Sequence, residues 1–474
     1  MNNRNIRMIT GLFVFILIPT LILPAALDPA LQARCIALSS FLLIISIMYY
    51  SGKLSRDAGK FKNAAMLCFS GFIAVSLLSA VTALNSSEWL FHSAYFIILF
   101  ILFAYYLLLY DVPGLIDTIS GFAVISCIFI SSIAIFQLYG WGFSWLPGNM
   151  GPYSTMVRRN MLASWLLLSL PFVFYSLLKA SGKWRIIAFI AFTELAFVLF
   201  ACQSRAAWLG AAAFMVCAVI IYLIIIKTGS LSKTDSTKYL KNSGIAAGIA
   251  IIIIVFGSIG GFRSQQSGIT TQGSNPAARA ASIMKFGSDT SARQRILAWK
   301  RSLKMSGDNL WLGVGLGNWK LNMNKYGIGE FYPDVQSGYV LYLQPHNDFL
   351  SVLCETGIFG LLFYIGILLS GFLYGIKAAF RNNNFSLFGL LGASAIAGYS
   401  VFAFFDFPKD RIEQQILLLL IIALTVSSGK RKSAEQKPIA KRNFIIPGLI
   451  SLILIPIFII KLNSEIYIKD AIIS

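Results

Sequence analysis

The sequence predicts an all-α polytopic membrane protein of about 13 transmembrane helices, with one long polar loop that carries amphipathic helices. Two observations predict it. Of 474 residues, 57% are hydrophobic and only 12% charged, and many windows exceed the roughly 20 apolar residues needed to cross a bilayer. The 39 basic residues, set against 19 acidic ones, are also spread unevenly among the connecting segments. A net charge of +20 could point to nucleic acid. Sorted by side of the membrane it reads instead as topology, and no nucleic-acid partner is expected.

In order, the apolar runs are 9–27, 33–50, 64–84, 92–110, 118–139, 161–178, 186–203, 206–226, 243–261, 348–376, 386–405, 412–427 and 444–461. The first follows Arg4 and Arg7 and is too long for a cleaved leader, so it reads as a retained anchor. With the N-terminus inside, the inner segments hold Arg4 and Arg7, Lys53 to Lys62, Lys179 to Arg185, Lys227 to Lys241, Lys377 and Arg381, and Lys430 to Arg442. Together these are 21 basic residues. The outer short loops and tail hold eight: Arg34, Arg158, Arg159, Arg205, Lys409, Arg411, Lys461 and Lys469. The other ten lie in segment 262–345. This bias places the N-terminus inside, and the long loop and C-terminus outside. Anchoring against anionic lipid accounts for the inner charges but not for the outer arginines.

All six cysteines (Cys35, Cys68, Cys127, Cys202, Cys217 and Cys354) lie in apolar runs without Cys-x-x-Cys spacing. They read as small buried hydrophobes, with neither a disulfide framework nor a zinc site. No internal repeat is visible.

The outer face collects the chemistry. Arg205 follows Gln203-Ser204 in a very short turn between two apolar runs, where a cation must snorkel to headgroups or line a wet cavity. In the long loop, 292–304 has helical periodicity. Ala292, Ile296, Trp299 and Leu303 share one face while Arg293, Lys300 and Lys304 share the opposite one. Arg295 falls at the edge of the apolar stripe and is expected to point at the bundle. Gly313-Val314-Gly315-Leu316-Gly317 has no preceding strand and no Gly-Lys-Ser/Thr ending, so it reads as a tight turn rather than a nucleotide loop. His346, one of two histidines, stands just before an apolar run, with Asp348 two residues on. Glu194 and Glu355 are carboxylates within apolar runs, expected to be paired or to face a cavity. His92 reads as interfacial.

Four motifs in order give a resemblance: Ser204-Arg205-Ala206-Ala207-Trp208-Leu209-Gly210, Arg295-x-x-x-Trp299, Gly313-Val314-Gly315-x-Gly317-Asn318, and Pro345-His346-Asn347-Asp348-x-Leu350 with Glu355-x-Gly357. They resemble the O-antigen ligase and O-antigen polymerase superfamily, densely over 158–410. Ala206 stands where that family usually has glycine. The resemblance implies a GT-C-like fold in the bacterial inner membrane and metal-independent transfer of a glycan from undecaprenyl diphosphate to an acceptor hydroxyl on the periplasmic face. It implies no cofactor.

It also implies the division of the chain: N-terminal helices at 1–157, a catalytic region at 158–410 including periplasmic loop 262–345, and C-terminal helices with a short periplasmic tail at 411–474. His346, Arg205 and Arg295 are the catalytic candidates, and Arg159, Asp348 and Gln203 join the two arginines in substrate binding. Planar guanidinium forks neutralise diphosphate well. An imidazole can accept the proton of the acceptor hydroxyl, and direct displacement would invert the anomeric centre. The leading reading is an O-antigen ligase-like enzyme acting on a lipid A-core sugar. A polysaccharide polymerase and a protein O-oligosaccharyltransferase share donor and chemistry. A transporter of lipid-linked glycan is the non-enzyme alternative, although transporters favour sites at the midplane and repeated halves.

Overall fold

The computed structural model describes residues 3–51, 58–110, 112–143, 145–147, 151–227, 233–260, 290–331, 333–336, 342–380, 386–429 and 439–473. Among these residues every regular element is helical, and twelve helices are long and apolar enough to cross a membrane. The protein is a polytopic membrane bundle. Much of the expected loop 262–345 lies outside the described residues, as do parts of the inner charged segments.

The helices used below are α1 Asn3–Gly11, α2 Leu31–Tyr50, α3 Ala64–Leu78, α4 Ser86–Leu109, α5 Leu115–Leu138, α6 Arg159–Lys179, α7 Gly182–Ala201, α8 Arg205–Lys227, α9 Lys233–Gly260, α10 Thr290–Asp308, α11 Asp348–Ala379, α12 Leu387–Phe405, α13 Ile412–Gly429 and α14 Ile445–Ile473. The expected first span, 9–27, is not among the twelve. There α1 passes into a π-helical turn, Leu12–Leu17, and a last turn, Ile18–Thr20. The buried Arg34 guanidinium caps the end of this run, taking the Pro19 and Leu21 carbonyls at 3.0 and 3.1 Å.

α6 and α13 are buried along their whole apolar windows, whereas α8, α9 and α14 are largely exposed and form the lipid-facing rim. Packing depends on small residues, as helices in lipid require. A side chain at Gly210 of α8 would meet the Gly398 carbonyl of α12 at 2.8 Å, and Gly375 of α11 stands as close to the Gly389 carbonyl.

The charge sorting made on the sequence reappears as two ends of the bundle. At one end Arg7 donates to the Pro113 carbonyl and Lys238 to the Lys179 carbonyl. At the other, Arg34 and Arg411 share Glu413, and Arg411 reaches Asp28. Lys461 and Lys320 share Glu88 at that same end. The His346 turn lies here, and we call it the site end. The embedded Glu194 accepts from Ser132 at 3.2 Å, so it is partnered as expected.

Candidate functional site

Five segments meet at the site end, and each is positioned by its own sequence. The turn after α12, Asp406-Phe407-Pro408-Lys409-Asp410-Arg411, is the hub. Asp406 is fully buried. Its Oδ2 accepts from Asn160 Nδ2 at 3.0 Å and its Oδ1 from the Phe407 N–H at 3.0 Å. The same Oδ1 stands 3.6 Å from His346 Nδ1, an ion-pair separation longer than a hydrogen bond. Burial pushes the Asp406 carboxyl up, but His346, Arg295 and the Phe407 N–H outweigh it and hold the group below the ordinary carboxylate range. Asp406 is therefore a fixed anion behind the imidazole.

His346 itself is partly exposed, its ring edge-on to Phe407 at 4.9 Å. Its φ of 54° lies in the left-handed region, where a non-glycine residue is strained. Asn347 then caps α11 by accepting from the Leu350 N–H at 3.0 Å, so the imidazole projects from the first turn of a well-anchored helix.

Arg295 comes from α10 and donates from Nη1 to the Phe405 carbonyl at 2.8 Å, one residue before Asp406. Trp299, one turn later, donates its indole N–H to the Pro345 carbonyl at 2.9 Å, one residue before His346. The spacing Arg295-x-x-x-Trp299 is thus a two-point clamp joining the Asp406 turn to the His346 turn. Arg293, Lys300 and Lys304 are exposed, as the helix geometry required. The expected apolar face holds in part: Ala292 is buried and Trp299 packs on Phe404 and Phe405. α10 rests on the protein through Leu297, Ala298 and Met305, and Leu303 is 56% exposed. Ala298 and Met305 lie on the side of the helix that Ser302 and, at its edge, Arg295 also occupy, whereas Leu297 stands beside Lys304, so polar residues obscure the stripe in the sequence.

Arg159 and Arg205 are the first residues of α6 and α8. Asn160, beside Arg159, is the residue on Asp406. Cys202 donates to the Pro152 carbonyl. Burial pushes its thiol to about 12, against the pull of Arg159, so the start of α6 adjoins the short turn that carries Gln203 and Arg205. α8 and α12 run antiparallel, since Gly210 packs on Gly398 and Phe402 while Gly398 packs on Phe214. At 1.5 Å per residue Arg205 lies about 7.5 Å beyond that crossing and Phe405 about 10 Å. The two stand at nearly one level.

One backbone device recurs. Val157, Gln203 and His346, at φ 65°, 50° and 54°, each stand two residues before the first residue of α6, α8 and α11. Three helix N-termini therefore open at the same end. Neither α6 nor α8 has an acid in its first turn; each begins with arginine, on which the helix dipole acts unfavourably. Helix N-termini and guanidinium groups add to one positive potential, suited to an anion.

Asp348 is placed differently from its neighbours. It is fully buried, and its Oδ2 accepts from the Lys409 N–H at 3.0 Å and from the Tyr364 and Tyr399 hydroxyls at 3.4 Å. It ties α11 to the hub turn from behind. Lys409 Nζ stands 2.7 Å from Asp410 and 3.7 Å from Glu355. Although burial would lower it, these carboxylates hold the Lys409 ammonium above the ordinary lysine range.

The glycine motif explains itself as a strap. Val314 and Gly315 donate to the Cys354 and Glu355 carbonyls, and Ile358 donates to Leu310, across a break in α11 where Gly357 takes φ 68°. His92 is packed near the start of α4. Its ring lies under Gly317, and its Nδ1 is 2.9 Å from the Glu88 carbonyl and 3.8 Å from the Glu88 carboxylate. Among the described residues no group of three or more His, Cys, Asp or Glu is gathered as metal ligands would be.

Asp406 and Asn160 escaped the sequence reading. The available signal for Asp406 was its short charged turn between two apolar runs. Asn160 had none beyond the arginines beside it.

Residues 186–365 match the O-antigen ligase family model. The matched stretch spans α7 to the first half of α11, and it contains Gln203, Arg205, Arg295, His346 and Asp348. It supports the O-antigen ligase superfamily and a membrane ligase- or polymerase-type function. Asn160 and Asp406 lie on either side of it and are brought in by the fold. No curated protein matches the chain.

Proposed function

We propose that the protein is an O-antigen ligase-like glycosyltransferase of the inner membrane. It moves a glycan from undecaprenyl diphosphate to a lipid A-core sugar hydroxyl on the periplasmic face, without a metal and with inversion. The observation that carries this is the hub turn. The carbonyl of Phe405 holds Arg295, and the next residue, Asp406, faces His346. A phosphate-binding cation and a base thus share one rigid support.

In this reading Arg205, Arg295 and Arg159, with the N-termini of α6 and α8, hold the donor diphosphate and oppose the charge that grows on it as the glycosidic bond breaks. Asp406 keeps the His346 proton on Nδ1, leaving Nε2 to take the acceptor hydroxyl proton. The acceptor oxygen attacks the anomeric carbon opposite the diphosphate, so the configuration inverts. Gln203 lines the donor site, and Asp348 acts by holding α11 in place. The functional unit is residues 158–410, with the N-terminal and C-terminal helices as its frame.

Purified protein given lipid-linked donor and acceptor in detergent tests the reading directly, since an enzyme forms product without a compartment and a transporter does not. Lipopolysaccharide banding in a deletion strain then separates acceptors. Loss of every glycan-bearing band above bare core fits a ligase, and core with a single repeat fits a polymerase. Normal lipopolysaccharide with altered glycoproteins fits transfer to protein.

A further inference from the structure

We propose that the outward face of α10 is a binding surface for anionic phospholipid headgroups, and that this contact holds α10, and with it Arg295, against the bundle. Three observations meet here.

At about 100° per residue, Arg293, Lys300 and Lys304 fall within roughly 40° of one another, and all three are exposed. Among the described residues none of them has an anionic partner. The neighbouring Arg301 does have one, in Glu330 at 2.9 Å.

Beside this basic strip lie Ile296 and Leu303, the part of the apolar stripe that the protein does not cover. Leu303 is 56% exposed and Ile296 half-buried. An apolar edge flanking a row of lysine and arginine is the pattern of a helix lying in the membrane interface.

The level is set at both ends of the segment. Trp299 packs on Phe404 and Phe405, the last residues of α12, at 5.6 and 6.2 Å. Beyond the helix, Trp311 is 65% exposed and stacks on Phe359 of α11 at 5.9 Å. Both contacts are with residues of membrane spans, Phe359 lying just past the Gly357 break, so α10 lies where hydrocarbon gives way to headgroups. Tryptophan is enriched at that depth. Water alone would leave Leu303 and Trp311 exposed, and a purely apolar neighbour would leave three cations unpaired. A layer of phosphate over acyl chain satisfies both.

The protein reconstituted in nanodiscs of phosphatidylcholine, with or without phosphatidylglycerol, tests this by hydrogen exchange over 290–308. Each cation near an anionic surface contributes roughly fivefold in binding. Phosphatidylglycerol should slow exchange in this helix at least about tenfold. The triple variant Arg293→Gln, Lys300→Gln, Lys304→Gln should show no such slowing, and Leu303→Gln should weaken protection in both discs. These positions are exposed, so the variants keep the fold. Equal exchange in the two discs, slowing that persists in the triple variant, or equal slowing by inorganic phosphate added to phosphatidylcholine discs would each overturn the proposal. The readout is exchange, so it stands or fails independently of the transferase reading.

Discussion

His346 Nδ1 faces Asp406 Oδ1 at 3.6 Å, and Asp406 is gripped from the other side by Asn160 at 3.0 Å. In the proposed mechanism imidazole and carboxylate act as one unit. His346→Ala and Asp406→Asn should each lower turnover at least about tenfold, or more than roughly 1.4 kcal/mol. The double variant should be little worse than His346→Ala alone. Steady-state kinetics would show it, and a double variant far worse than His346→Ala alone would separate Asp406 from the base.

The two faces of α10 make opposite predictions for arginines two residues apart. Arg295→Ala removes the grip on Phe405 and the proposed phosphate contact, and should cost at least about tenfold in turnover, as should Arg205→Ala. Arg293→Ala should change turnover by less than about threefold under saturating donor in detergent. If Arg293 proved essential and Arg295 dispensable, the assignment of roles on this helix would be reversed.

Gly357 is required by conformation and by space. Its φ is 68°, and a β-carbon there would lie 2.2 Å from the Trp311 carbonyl oxygen. Gly357→Ala should destabilise the protein by about 2–4 kcal/mol and detach the 310–319 strap. The effect is measurable as a fall in Tm in detergent and as faster exchange at Val314 and Gly315.

Asp28 provides a pH test of the frame. Burial pushes its carboxyl up, but Arg411 and the N–H groups of Ala30 and Leu31 hold it at about 2. A carboxyl lowered in the folded state contributes stability that is present above its unfolded pKa, near 4, and is lost as pH falls toward about 2. Asp28→Asn should remove about 2 kcal/mol at neutral pH and flatten the acid decline between about pH 4 and 2. Chemical unfolding at several pH values would measure both. An unchanged acid profile would mean that Asp28 is not the group responsible.

Several features were legible because their causes are local. The number and order of spans follow from apolar length, and the two charged ends follow from basic residues that hydrocarbon excludes. The exposure of Arg293, Lys300 and Lys304 and the partial burial of Arg295 follow from helix geometry. The first apolar run, 9–27, ends as helix at Thr20, a stop that hydropathy does not register.

The sequence by itself determined that this chain crosses a membrane many times and gathers cations and both histidines at one end, since length, hydrophobicity and helical period act over a few residues. Only the tertiary structure decided that Asp406 stands behind His346, that Asn160 steadies it, and that Asp348 is buried as a tie between α11 and the hub turn. Those relations join residues 60 to 246 positions apart, and their existence depends on how α6, α11 and α12 pack, which no local pattern of side chains encodes.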